Sequence, residues 1–112
     1  MIIAIDYDGT LKRSSGYDKD ECNMWGNIIH AFRECEHDVI ICTMRTGHFQ
    51  DVCEVEGWMD RVGVDLSVVY CGNRGLKREV CLEEGHKVDI WIDDMPGMIE
   101  KAYILPTPEV PE

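Results

Sequence analysis

The sequence predicts an α/β fold: a single-domain, doubly wound, Rossmann-like three-layer sandwich around a parallel sheet of about five strands. Three observations predict it. Short apolar runs alternate with segments in which apolar residues recur every three or four positions. The runs are nearly continuous in apolar character, as in strands covered on both faces, and do not alternate apolar with polar. Acidic, hydroxyl and basic residues follow several of the runs, at the strand ends where open parallel sheets bind their ligands.

Residues 2–5 (IIAI) are the first strand. A helix follows over 22–35, with Trp25, Ile28, Ile29 and Phe32 on one face and Asp18 or Asp20 able to cap its start. Residues 38–42 are the second strand, and beyond Gly47 the positions Phe49, Val52, Cys53 and Met59 mark a second helix. Residues 66–70 are the third strand, Leu76, Val80 and Leu82 mark a third helix ending at Gly85, and 88–92 are the fourth strand. A weaker apolar run at 102–105 is a candidate fifth. Single helices between strands call for right-handed parallel crossovers. One folded domain is expected to span 1–105, and the stretch PTPEVPE (106–112), with three prolines, to form a tail or surface strap.

At 112 residues the chain has room for one domain and one site. Its apolar runs fall far short of the roughly 20 residues of a membrane span. Its start, MIIAID, has no basic segment and soon meets an aspartate, unlike a secretory signal. A soluble, cytoplasmic protein is expected. Eleven basic against 22 acidic residues give a net charge of -11, which disfavours nucleic acid except as a nucleotide or strand-end substrate and favours a cation as partner. The six cysteines never form CxxC, and Cys42 and Cys71 lie in or beside apolar runs, so reduced thiols are expected rather than disulfides or zinc ligands. Of the four histidines only His48 falls near the strand ends, and Trp25, Trp58 and Trp91 read as core.

The topology would bring together Asp6, Asp8, Gly9 and Thr10 from the first strand end, Thr43, Met44 and Arg45 from the second, Lys77 beyond the third, and Asp93 and Asp94 from the fourth. Clustered carboxylates repel unless some are protonated or a cation sits among them. Oxygen ligands without His or Cys select Mg²⁺, which binds through one or two carboxylates and keeps room for substrate phosphate oxygens. Each piece has a plain reading as well: Asp-x-Asp-Gly can simply end a strand in a turn, and Lys77, with Arg74 and Arg78, can be a basic patch at a helix start. The match between the first acidic motif and the acidic pair on a later strand weighs against the plain reading.

These residues resemble the haloacid dehalogenase-like (HAD) phosphohydrolases. Asp6-Tyr7-Asp8-Gly9-Thr10-Leu11 after an apolar strand is similar to the family's first motif, DxDGT. Ile40-Ile41-Cys42-Thr43 is similar to the second, Lys77 stands where the third motif has its cation, and Trp91-Ile92-Asp93-Asp94 is similar to the fourth. The resemblance implies a Mg²⁺-dependent phosphatase: Asp6 as nucleophile, forming an aspartyl-phosphate, and Asp8 as general acid and then base. It implies that Thr43 and Lys77 hold and neutralise the phosphoryl group, and that Asp94 ligates the metal with Asp6 and the backbone carbonyl of Asp8, with Asp93 behind them. Thr43-Met44-Arg45-Thr46-Gly47 resembles the T-x-R-x-G of small bacterial and phage members, in which Arg45 would orient substrate phosphate.

Larger members carry a cap domain after the first motif or after the third strand, and neither gap here has room for one. A capless site is open, which suits a large or polymer-borne phosphate or a cap lent by another subunit of a homo-oligomer; the phosphorylated substrate is expected to be small or polymer-borne. The alternative is a catalytically silent phosphate-binding or interaction module on the same scaffold. A receiver-type phosphoacceptor domain has similar residues in another order, its acidic pair first and its acceptor aspartate mid-chain.

Overall fold

A computed structural model of the chain describes residues 1–13 and 15–100. The first apolar run forms β1 (Ile2–Ile5), which lies in the middle of a four-stranded, all-parallel sheet ordered β3-β2-β1-β4. On one side it pairs with β2 (Asp38–Thr43), Ile2 opposite Asp38 and Ile5 opposite Ile41; on the other it pairs with β4 (Ile90–Ile92), Ile5 opposite Ile92. The outer strand β3 (Ser67–Tyr70) runs beside β2, with Thr43 opposite Tyr70. The expected fifth strand at 102–105 and the tail at 106–112 lie outside the described residues.

Three helices connect the strands. In α1 (Lys19–Glu34) Asp18 is the cap, its side chain accepting from the Glu21 amide at 3.0 Å, while Glu21 Oε1 accepts from the Arg13 amide at 2.9 Å. This helix starts three residues before the expected 22, because the cap, not the first apolar residue, sets its origin. Helix α2 (Phe49–Val62) ends on Gly63 in the left-handed conformation (φ 82°), with the Gly63 amide bonded to Met59 O. Helix α3 (Lys77–Glu83) is short, its N-terminal residue being Lys77 itself.

The helices cover both faces of the sheet. Trp25 and Ile29 of α1 and Val55, Trp58 and Met59 of α2 pack with Ile3, Ile5, Val39 and Ile41. On the other face Val80 and Cys81 of α3 pack with Ala4, Ile40, Cys42, Val69 and Cys71. The two central strands, β1 and β2, are apolar and buried along most of their length because helices cover both faces there. This arrangement of layers is compatible with a Rossmann-like fold. The thiols of Cys42, Cys71 and Cys81 touch within this second core (Cys42 to Cys81 3.2 Å, to Cys71 3.6 Å), and all six cysteines are free. No helix among the described residues is long and apolar enough to cross a membrane.

The chain moves outward from β1 through β2 to β3, then returns to add β4 on the opposite side of β1. Parallel sheets open a crevice where the direction of winding reverses, here beyond the carboxyl ends of β1 and β4. Asp6, whose amide bonds to Ile92 O at 2.9 Å, and Asp93 stand at that point.

Candidate active site

Asp6 directly follows β1 and is 8% exposed. Its Oδ1 accepts from Lys77 Nζ at 2.8 Å, and the same ammonium reaches Asp93 Oδ2 at 2.5 Å. Lys77 is 1% exposed, so a buried cation bridges two carboxylates from neighbouring strands. It gets there because α3 begins at Lys77, which points the side chain back across the strand ends. Its neighbours turn away: Arg74 pairs with Glu83 and Glu84, and Arg78 with Glu100.

Two carboxylates on one ammonium form a balanced group only with another cation. Burial pushes the Asp6 carboxyl up to about 6; the Lys77 hydrogen bond pulls it down, and the Asp94 carboxylate beside it raises it again. Burial alone would lower the Lys77 ammonium, but its bonds to Asp6 and Asp93 outweigh burial and raise it. Asp94 stands exposed at the rim and receives one long hydrogen bond from Thr10 Oγ1, at 3.5 Å. Asp93 is more fully engaged, with Oδ1 accepting from the Met95 amide at 2.8 Å and Oδ2 from Lys77.

Asp6, Asp93 and Asp94 each offer an oxygen, and these atoms lie within 4.8 Å of one another. Three hard oxygens without nitrogen or sulfur could hold a hard metal cation. Gly9 keeps the approach to Asp94 open: its φ is +80°, and a Cβ there would come within 2.3 Å of Asp94 Oδ2. The turn after Asp6 closes through Leu11 and Lys12 amides bonded to Asp6 and Tyr7 carbonyls. Tyr7, fully buried, packs edge-on to Trp58 beneath it, with ring centres 6.0 Å apart.

Asp8 is exposed on the turn that follows β1. Both its oxygens accept from Arg45: Nε to Oδ2 at 2.8 Å and Nη2 to Oδ1 at 2.9 Å. Arg45 also donates from Nη1 to Asp51 Oδ1 at 3.1 Å and lies 5.4 Å from the centre of the Tyr7 ring. Asp51, in the first turn of α2, accepts in addition from the Thr46 amide (3.0 Å) and hydroxyl (2.8 Å), bonds that hold its carboxyl below the usual carboxylate range. Thr43 is fully buried, and its Oγ1 accepts from the Arg45 amide at 3.1 Å, which leaves the hydroxyl proton to donate elsewhere. Met44 is half-buried against the α3 face.

The strand ends thus bring Asp6, Lys77, Asp93 and Asp94 into one cluster and Asp8, Arg45 and Asp51 into a second beside it. Sequence reading omitted Asp51. The available signal was local, an aspartate in the first turn of a helix that follows Thr43-Met44-Arg45. Arg45, expected on substrate phosphate, has Nε, Nη1 and Nη2 committed to two aspartates. No family model, curated protein or solved structure matches the chain.

Proposed function

We propose that the protein is a Mg²⁺-dependent phosphatase of the HAD type, acting on phosphomonoesters through an aspartyl-phosphate at an open, capless site. The observation that carries this reading is the buried Asp6–Lys77–Asp93 bridge with Asp94 at its rim: a nucleophile, a cation and free carboxylate oxygens on adjacent strand ends. Asp6, Asp93 and Asp94 would hold the metal. Mg²⁺ bound there supplies charge to screen the approach of phosphate to a carboxylate.

The remaining chemistry belongs to the chain. Among the described residues no hydrogen-bond donor sits on Asp6 Oδ2 while Lys77 holds Oδ1, so one oxygen is oriented and the other is left to attack phosphorus. Lys77 neutralises charge on Asp6 as the phosphoryl group arrives, and the Thr43 hydroxyl donates to a phosphoryl oxygen. Asp8, two residues on, gives its proton to the leaving-group oxygen as the ester bond breaks and then takes a proton from the water that attacks the aspartyl-phosphate. Arg45 fixes the direction in which Asp8 points.

Hydrolysis of a generic aryl phosphate by purified protein with added Mg²⁺ tests the proposal. The expected result is turnover that chelator abolishes and that Asp6→Asn removes while the circular dichroism spectrum is unchanged. Turnover surviving Asp6→Asn refutes the mechanism. Mg²⁺ binding with no turnover on a broad panel of phosphorylated metabolites, nucleotides and peptides would favour the silent binding module.

A further inference from the structure

Beside the carboxylate triad lies a cavity of about 300 Å³, at the lower end of the range for small-ligand sites. Asp94 and Gly9 form its inner edge, where the triad begins, and Met24, Trp25 and Ile92 form its wall. Gly9 brings the two together, since any side chain there would occupy the junction between cavity and Asp94. The wall is apolar but incomplete. Met24 is 45% exposed, a flexible thioether with its face uncovered. Trp25 is 9% exposed, and its Nε1–H has no acceptor among the described residues. Arg13 is the cation on the cavity, exposed and without an ion pair among the described residues. Its backbone is tied to α1 through Glu21, so its place beside the cavity is set.

We infer that this cavity is the leaving-group subsite, and that it selects phosphoesters of aromatic groups carrying an anionic substituent. This rests on the phosphatase reading of the adjoining triad. A phosphoryl group held at Asp6 and Asp94 places the rest of its ester at the mouth of the cavity. A flat ring fills the apolar wall of Met24, Trp25 and Ile92, and Arg13 holds the negative charge. In a chain of net charge -11 an arginine without an ion pair among the described residues at this spot is what admits an anionic leaving group. An open site needs such a wall to hold the ester beyond its phosphoryl group.

Equilibrium binding of non-hydrolysable phosphonates, measured calorimetrically with Mg²⁺ present, tests this without turnover. The probes are ethylphosphonate, phenylphosphonate, 4-carboxyphenylphosphonate and 4-carbamoylphenylphosphonate. The expected order places the carboxyphenyl compound tightest and ethylphosphonate weakest, with about tenfold between ring and ethyl group. Arg13→Gln should weaken the carboxyphenyl compound about fivefold, as expected for an exposed ion pair, and leave the carbamoyl compound unchanged. Met24→Ser, at a half-exposed position, should weaken every ring compound and leave ethylphosphonate alone; Trp25→Phe should do the same and serves as a second variant where it folds. Equal affinity for ethyl and ring compounds, or an Arg13→Gln effect blind to the carboxylate, overturns the inference. Tight, ring-selective binding with no hydrolysis of the matching phosphates would instead remove the phosphatase reading and leave a binding site of this selectivity.

Discussion

Replacing the proposed nucleophile should make the metal-free protein more stable. Burial, reinforced by Asp94 and opposed by Lys77, raises Asp6 from 3.8 to about 6. At about 1.4 kcal/mol per unit, ionised Asp6 costs the metal-free fold about 3 kcal/mol. A group with a raised folded-state pKa contributes its stabilisation fully below the unfolded value and loses it as pH rises through the folded one. The cost is therefore absent near pH 4 and complete above about pH 6.5. Asn keeps the shape and an acceptor for Lys77 without the charge, so Asp6→Asn should regain most of that cost, an increase in Tm of roughly 10 °C for a domain of this size. Thermal melts in chelator from about pH 4 to pH 8 should show the two proteins converging near pH 4, separating as pH rises from about 4 to about 6, and keeping a constant gap above that. Added Mg²⁺ should raise the Tm of the natural protein alone, and less so below about pH 6, where the cation must displace a proton. An Asn variant that melts below the natural protein at neutral pH in chelator, or a gap that does not change with pH, refutes the reasoning.

Lys77→Met strands two buried carboxylates and should cost about 3–5 kcal/mol in chelator, with Mg²⁺ restoring part of it, read from denaturant midpoints. Gly9→Ala, strained at φ +80° and pressing on Asp94, should lower Mg²⁺ affinity about tenfold or more by calorimetry. Asp51→Asn should reduce kcat with the natural Arg45 in place but have no further effect in an Arg45→Met background, since Asp51 acts on Asp8 through that guanidinium; additive losses in the double variant would contradict the chain of bonds.

The fold was legible because the strands announce themselves. Covered on both faces, Ile2–Ile5 and Asp38–Thr43 are apolar almost throughout, and no other element type produces such short runs between helical repeats. Strand ends were less legible: 88–92 was expected where β4 is Ile90–Ile92, since Val88 is buried without pairing in the sheet. Residue types at the site could be read from motif order, but their partners could not. Nothing in the sequence says that Lys77, rather than Arg74 or Arg78, crosses the strand ends, because that depends on where α3 starts. Nor does it say that Arg45 turns back to Asp8, because that contact joins a turn after β1 to a loop after β2. Such pairings are tertiary facts, set by which strands become neighbours.

The position of β1 between β2 and β4 has a consequence for assembly. Lys77 and Asp6 are 71 residues apart in sequence, and the Ile2 amide closes on Asp89 across 87. Contacts of such separation carry the largest loop-closure cost and form late. A sheet of β1, β2 and β3 alone would leave one edge of the central strand bare, without Asp93 or Asp94 beside Asp6. The proposed cation site therefore becomes complete only when β4 docks, so Mg²⁺, if it binds there, should slow unfolding far more than it speeds folding.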